Sequence, residues 1–152
     1  MLLLKIVHKL KEHKIPYAIV GGHAVAFHGA IRGTLDIDLI TKLNLKTLQK
    51  IESALGELGL TSRLPIGAID LYKFRLEYIK NKNLVAWNFI NLRDSSEQID
   101  IIITLDLLDV KTKTIKIGSE SIKIIAKDDL IKMKKISGRT QDLADIEALK
   151  KL

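Results

Sequence analysis

Leu3, Ile6, Val7 and Leu10 recur at i, i+3, i+4 and i+7, with Lys5, His8, Lys9 and Lys11 between them. That spacing predicts an amphipathic helix over residues 2 to about 13. Pro16 closes the region, and Tyr17-Ala18-Ile19-Val20 is an unbroken apolar run suited to a buried strand. Gly21-Gly22 follows, then a short Ala-rich helix from His23 to about Gly29, and Arg32-Gly33-Thr34 reads as a loop. From Leu35 to Thr41 the period changes to two. Asp36 and Asp38 alternate there with Leu35, Ile37 and Leu39, the pattern of a strand. Leu45, Leu48, Ile51, Leu55 and Leu58 then mark a longer helix, with Asn44 as its N-cap and Gly59 as the residue past its end.

In the second half, Leu71, Phe74, Arg75 and Tyr78 fall near helical spacing and predict a helix from Asp70 to about Lys80. Leu84 to Leu92 and Gln98 to Leu105 read as the strands of a hairpin, turned at Asp94-Ser95-Ser96. Thr114 to Ile117 and Ser121 to Ile125 form a second such pair around Gly118. Two helices, about Asp128 to Ile136 and Thr140 to Lys151, close the chain with Gly138 between them. No linker, repeat or low-complexity segment interrupts this order. It predicts one domain over residues 1–152, of mixed α and β class (α+β, or α/β), ending in a helical hairpin.

Composition adds exclusions. A chain of 152 residues buries a real core. Without cysteine, neither disulfides nor thiolate-bound zinc hold it together, which fits a reducing cytoplasm. The apolar start, Met1 to Leu4, is broken by Lys5 and is too short for a signal-peptide core. No stretch approaches the roughly 20 apolar residues of a membrane span. A cytoplasmic protein without a membrane partner is expected. The net charge of +7 permits phosphate-rich partners, but the lysines are dispersed, as they are when they serve solubility alone.

The chemistry concentrates in aspartates. Asp36 and Asp38, two apart on a strand, emerge on one face roughly 6.5 Å apart at about 3.3 Å per residue. Paired carboxylates of this kind suit hard cations such as Mg²⁺. Two such ions about 3.5–4 Å apart would bind both oxygens of a phosphoryl displacement. Asp100 lies in Ile99-Asp100-Ile101-Ile102-Ile103, where a lone buried carboxylate is costly and needs a metal, a cation or water. If its strand neighbours that of Asp36 and Asp38, all three line one site. Asp36 or Asp38 alone is more simply the wet face of a strand, and Asp100 alone equally suits an exposed sheet edge. Gly21-Gly22 permits a tight turn and close approach of a phosphate to the backbone, with a helix start behind it. Neither GxxxxGK[ST] nor GxGxxG is present, so the P-loop and dinucleotide fingerprints are excluded.

The run Ile19-Val20-Gly21-Gly22-His23-Ala24, continuing through His28-Gly29, Arg32, Thr34 and Asp36-Ile37-Asp38-Leu39, resembles the signature of the polymerase-beta-like nucleotidyltransferase superfamily. It looks most like a small bacterial and archaeal branch related to abortive-infection nucleotidyltransferase toxins and minimal nucleotidyltransferase antitoxins. Asp100 matches that superfamily's third aspartate on a later strand. Arg75 to Asn83, Gln98 to Ile101, Asp129 to Ile131 with Lys134, and Gly138-Arg139 with Asp142 to Ile146 extend the likeness over nearly the whole chain. The resemblance implies a nucleotidyltransferase-like mixed sheet with helices packed on one face. It implies catalysis at Asp36, Asp38 and Asp100, which would bind one or two Mg²⁺ ions. It places an NTP against Gly21 and Gly22, with His23, Arg32, Thr34, Lys134 and Arg139 as further nucleotide contacts. The implied acceptor is a hydroxyl on a tRNA end or on a partner toxin or antitoxin protein. His23 departs from the small residue, such as Ser, common there in the polymerase branch.

Rival readings are weaker. The segment around Ser137-Gly138-Arg139 joins two helices like a DNA-binding helix-turn-helix, but Asp142, Asp145 and Glu147 on the second helix would repel phosphates. They suit a helix N-terminus behind a Thr140 N-cap. Lys134 and Arg139 equally suit a helix C-terminus. Trp87 and Phe89 share a strand face and read as core, and His8 and His13 as solvated helix residues. The leading reading is a metal-dependent NMP transferase; the alternatives are a catalytically silent antitoxin or nucleotide-binding module and, ranked last, a nucleic-acid-binding protein with an incidental acidic cluster.

Overall fold

The computed structural model describes residues 1–152. In chain order the elements are α1 (Leu2–Glu12), β1 (Tyr17–Val20), α2 (Gly21–Phe27), β2 (Ile37–Thr41), α3 (Leu45–Glu57), β3 (Leu60–Ser62) and α4 (Ala68–Lys82). They continue with β4 (Ala86–Asn91), β5 (Asp94–Ile102), a 3₁₀ turn (Leu107–Asp109), β6 (Thr112–Ile117), β7 (Glu120–Ile125), α5 (Lys127–Ser137) and α6 (Thr140–Lys150). The strands form one mixed sheet in the order β3-β4-β5-β2-β1-β7-β6. β1 runs antiparallel to β2 and parallel to β7, and β2 runs parallel to β5.

The hydrophobic pattern explains this arrangement. All four residues of β1 are buried, so both pleat faces at the sheet centre are covered, as its unbroken apolar run requires. Leu3, Ile6, Val7 and Leu10 are the buried stripe of α1, and Leu48, Ile51 and Leu55 anchor α3. The Asn44 side chain accepts from Thr47 N at 2.8 Å, and Gly59 follows α3 at φ +81°. Helices α1, α3 and α4 pack in series, and α2 packs on α5, which pairs with α6 as the C-terminal hairpin. No helix is long and apolar enough to cross a membrane.

Several boundaries differ from the sequence reading. β2 begins at Ile37, so Leu35 and Asp36 precede the strand. Helix α2 starts at Gly21, two residues early, which puts both glycines in its first turn. The β4–β5 turn is Leu92-Arg93, and Asp94-Ser95-Ser96 opens β5. Asp94 Oδ1 accepts from Ser96 N and Oγ there, so the local hydrogen bonding that reads as a turn sits on an exposed strand end. The N-cap of α6 is Arg139, with Thr140 already helical, because the Asp142 carboxylate reaches back to the Arg139 N–H at 3.1 Å. β3 has three residues, too few to show a period. His13 pairs with Glu57 and so is not simply solvated, and His28 Nε2 lies 2.7 Å from Ile125 O.

Trp87 and Phe89 are fully buried with ring centroids 4.5 Å apart. Register sets Trp87 opposite Ile101 and Phe89 opposite Ile99. One face of the β4-β5-β2 region is therefore apolar core, and alternation sends Asn88, Asp100 and Asp38 to the other. Phe89→Ala is expected to cost about 3–5 kcal/mol in urea unfolding, as deletions of buried aromatics do. A loss below about 1 kcal/mol would show that this ring pair does not anchor the sheet.

Candidate active site

Asp38 is paired in register with Asp100 across β2 and β5, and Asp100 with Asn88 across β5 and β4. On the other side Asp38 pairs with Val20, the last residue before Gly21. One transverse row of the sheet thus runs from the glycine turn through Asp38 and Asp100 to Asn88. Asp38, Asp100 and Asn88 are half-buried, and Asp36 is exposed just ahead of β2. Burial foremost, then the negative charges of Asp100 and Asp36, pushes the Asp38 carboxyl from 3.8 up to about 6. Lys134 and Arg139 pull in the opposite direction. All three aspartates therefore share one electrostatic neighbourhood. The donors are all oxygens, which suits a hard cation. No three acidic or histidine side chains are arranged as a ready-made cation cage.

Gly21 has a local reason to be glycine. Its φ is +67°, and a Cβ there would lie 2.2 Å from Asp38 Oδ2. The missing side chain is the space that the Asp38 carboxylate occupies. A Cβ on Gly22 would meet Thr34 Cγ2 at 2.8 Å, so the second glycine admits the loop that leads to Asp36.

That loop is tied down by other expected contacts. His23 Nδ1 donates to the Asp36 carbonyl at 2.8 Å, and Thr34 Oγ1 accepts from Asp36 N at 3.2 Å. In this structure both residues hold the backbone of Asp36. Arg32 Nε donates to Asp145 at 2.9 Å, and its Nη1 to Gly33 O at 2.7 Å. Lys134 is 5% exposed, with Nζ 3.3 Å from Asp142 and 2.8 Å from Asp145. Its ammonium is thus engaged by two carboxylates. Arg139 binds Asp142 through Nε at 2.8 Å while its side chain stays largely in solvent.

The sequence reading treated Asp142 and Asp145 as helix-start residues and missed this network. The signal was their i, i+3 spacing, which places both on the side of α6 that Lys134 meets. Burial alone would raise the Asp142 carboxyl, but hydrogen bonds from Arg139 and Lys134 hold it well below the ordinary range. Burial is likewise outweighed at Asp145, by Lys134, Arg32 and Gln141. Asn88 and Gln98 were also missed, because a neutral amide on a strand carries no motif. A cavity of about 660 Å³ beside β3, bordered by Glu52, Leu60, Ile66 and Phe89, contains none of these groups.

No protein-family model matches the chain, and no curated protein matches it in sequence. Solved structures match its fold. The solution structure of the antibiotic-resistance factor ANT(2'')-Ia superposes with a TM-score of 0.65 at 14% identity, spanning 97% of this chain and 80% of that one. The crystal structure of ANT(2'')-Ia with adenylyl-2''-tobramycin gives 0.63 at 14% identity, over 97% and 85%. An antigenic nucleotidyltransferase-like protein from Paracoccidioides brasiliensis gives 0.60 at 17% identity, over 97% and 72%. The chain has the nucleotidyltransferase-like mixed fold.

Two outcomes follow from the electrostatics. The Asp38 carboxyl holds its proton more tightly folded than unfolded, so the native state loses stability as pH rises from 3.8 through about 6. In buffer free of divalent cations, Asp38→Asn should raise the thermal midpoint at pH 7.5 and give little gain at pH 4. An equal gain at both pH values would contradict this charge strain. Lys134→Met strands Asp142 and Asp145 without their shared cation and should cost about 3–5 kcal/mol of unfolding free energy at pH 7.

Proposed function

We propose that this protein transfers a nucleoside monophosphate from an NTP to an acceptor hydroxyl and releases pyrophosphate. The carrying observation is the in-register row that sets Asp38 and Asp100 side by side next to the Gly21-Gly22 turn. The nucleotidyltransferase-like fold supports the reading independently. In this reaction the acceptor oxygen bonds to the α-phosphorus, the α–β bridging P–O bond breaks, and pyrophosphate carries away the electron pair. The hydroxyl proton goes to Asp100 or to water. One or two Mg²⁺ ions, held by Asp36, Asp38 and Asp100, would neutralise the triphosphate charge. The raised Asp38 carboxyl marks a crowded negative charge of the kind such an ion relieves.

The remaining work is positioning. The Gly21-Gly22 turn would face the triphosphate, with Gly21 making room for the Asp38 carboxylate and Gly22 for Thr34. His23 and Thr34 fix the segment carrying Asp36. Arg139, anchored at one edge by Asp142 and open to solvent at the other, is placed to meet a phosphate, and Arg32 and Lys134 lend positive potential from behind. ANT(2'')-Ia, seen with adenylyl-2''-tobramycin, motivates an amino-sugar acceptor. The motif likeness motivates a tRNA end or a partner toxin or antitoxin protein in the cytoplasm.

The test is incubation with labelled NTPs, Mg²⁺ and either bulk tRNA or tobramycin. Label should pass to one acceptor, and Asp36→Asn or Asp38→Asn should each reduce transfer by about 100-fold or more, the scale of losing a group that stabilises transition-state charge. Tight NTP binding without transfer would instead identify a silent antitoxin or nucleotide-binding module. Salt-sensitive DNA binding indifferent to both substitutions would refute the site altogether.

A further inference from the structure

Of the 15 residues of α4, only Ala68 and Leu71 are buried, although apolar side chains occur all round the helix. Phe74 and Tyr78 shield one another, with ring centroids 6.2 Å apart, and Tyr78 and Ile79 pack against the core. Ile69, Tyr72 and Leu76 have no such cover. They recur at i, i+3 and i+7 on one side of the helix and are 50%, 51% and 69% exposed. Single exposed apolar residues are ordinary, but a contiguous stripe of them marks a surface for another macromolecule.

Charge selects the occupant. Beside the stripe stand Asp70, Lys73, Glu77 and Lys80, all exposed. Lys73 and Glu77 flank Arg75 at equal distances along the helix, and so, farther out, do Asp70 and Lys80. Neither Lys73 nor Glu77 nor Lys80 takes part in an ion pair within the chain. Asp70 caps Gly67 N through Oδ2 and leaves its other oxygen open. Such a pattern is its own complement. Turned end for end against an identical helix, it sets Lys73 against the second copy's Glu77, Asp70 against its Lys80, and Tyr72 against its Leu76. An acidic peptide or an anionic membrane would meet repulsion from Asp70 and Glu77 instead. We propose that α4 is a homodimerisation face, where two copies of this chain pair antiparallel about a two-fold axis at Arg75. Arg75 itself points inward, donating to Ile103 O at 2.9 Å, and leaves the axis clear. The helix offers a footprint of about 22 Å by 10 Å. That is well under the roughly 800 Å² per partner of a standard interface, so the dimer is reversible, in the micromolar range. None of the proposed site residues lies on α4 or on α3, against which it packs, so the pairing does not rest on the transferase reading.

The test is sedimentation velocity from about 1 to 200 μM, a range that brackets micromolar association. Wild type should pass from monomer to dimer as concentration rises. Leu76→Glu should stay monomeric throughout while keeping its circular dichroism spectrum. Lys73→Glu and Glu77→Lys are surface changes that leave the fold intact whatever becomes of Leu76→Glu. Each alone sets like charges against each other across the axis and should weaken dimerisation about tenfold, the scale of about 1.4 kcal/mol. An equimolar mixture of these two variants should regain dimer, because one chain then carries glutamates at both positions and the other lysines. Repair of an i, i+4 pair within one helix could not produce that recovery. Wild type that stays monomeric at 200 μM, or a dimer indifferent to Leu76→Glu, would overturn the α4 face. A mixture that associates no better than either variant alone would overturn the antiparallel pairing about Arg75.

Discussion

The parallel, in-register pairing of β2 with β5 sets two carboxylates side by side at the rim of a buried sheet, and the rest of the site accommodates their charge. Like charges on adjacent strands oppose one another, and burial of Asp38 sharpens the opposition. A fold driven only toward stability would place a neutral residue there. Gly21 forgoes a side chain so that the Asp38 carboxylate has room, and His23 and Thr34 bind the Asp36 backbone so that the third carboxylate stays near. Strain held by the surrounding structure in this way is what a preorganised charged site requires.

A second electrostatic unit balances the first. Lys134, Arg32 and Arg139 converge on Asp142 and Asp145, joining the loop after α2 to both helices of the C-terminal hairpin. Buried ion pairs seldom add much net stability, because desolvation consumes most of the Coulombic gain. Their effect here is placement: Lys134 and Arg139 are fixed where they act on Asp38 without pairing with it. The network also explains why α6 carries acidic residues on the side where a DNA-reading helix would need basic ones.

Both faces of β4 contribute, by different physics. Trp87 and Phe89 secure the strand to the core, and alternation sends Asn88 between them to the opposite face. Asn88 stands opposite Asp100 and donates to it at 2.8 Å.

Local pattern alone determined most of the elements. Helical spacing in α1 and α3, the apolar run of β1 and the alternation around Asp36 and Asp38 were legible because each reports burial of neighbours within a few residues. The three aspartates also stood out, since a carboxylate in an apolar strand demands a partner. The tertiary structure alone decided which strand lies beside which. That choice put Asp38 against Asp100, gave Gly21 its close contact with Asp38, enclosed Lys134 between two carboxylates eight and eleven residues away, and brought Asn88 to the row's end. Short segments such as β3, and neutral amides such as Asn88, stayed silent in the sequence because their meaning comes from long-range register, and register is settled by the packing of the whole sheet.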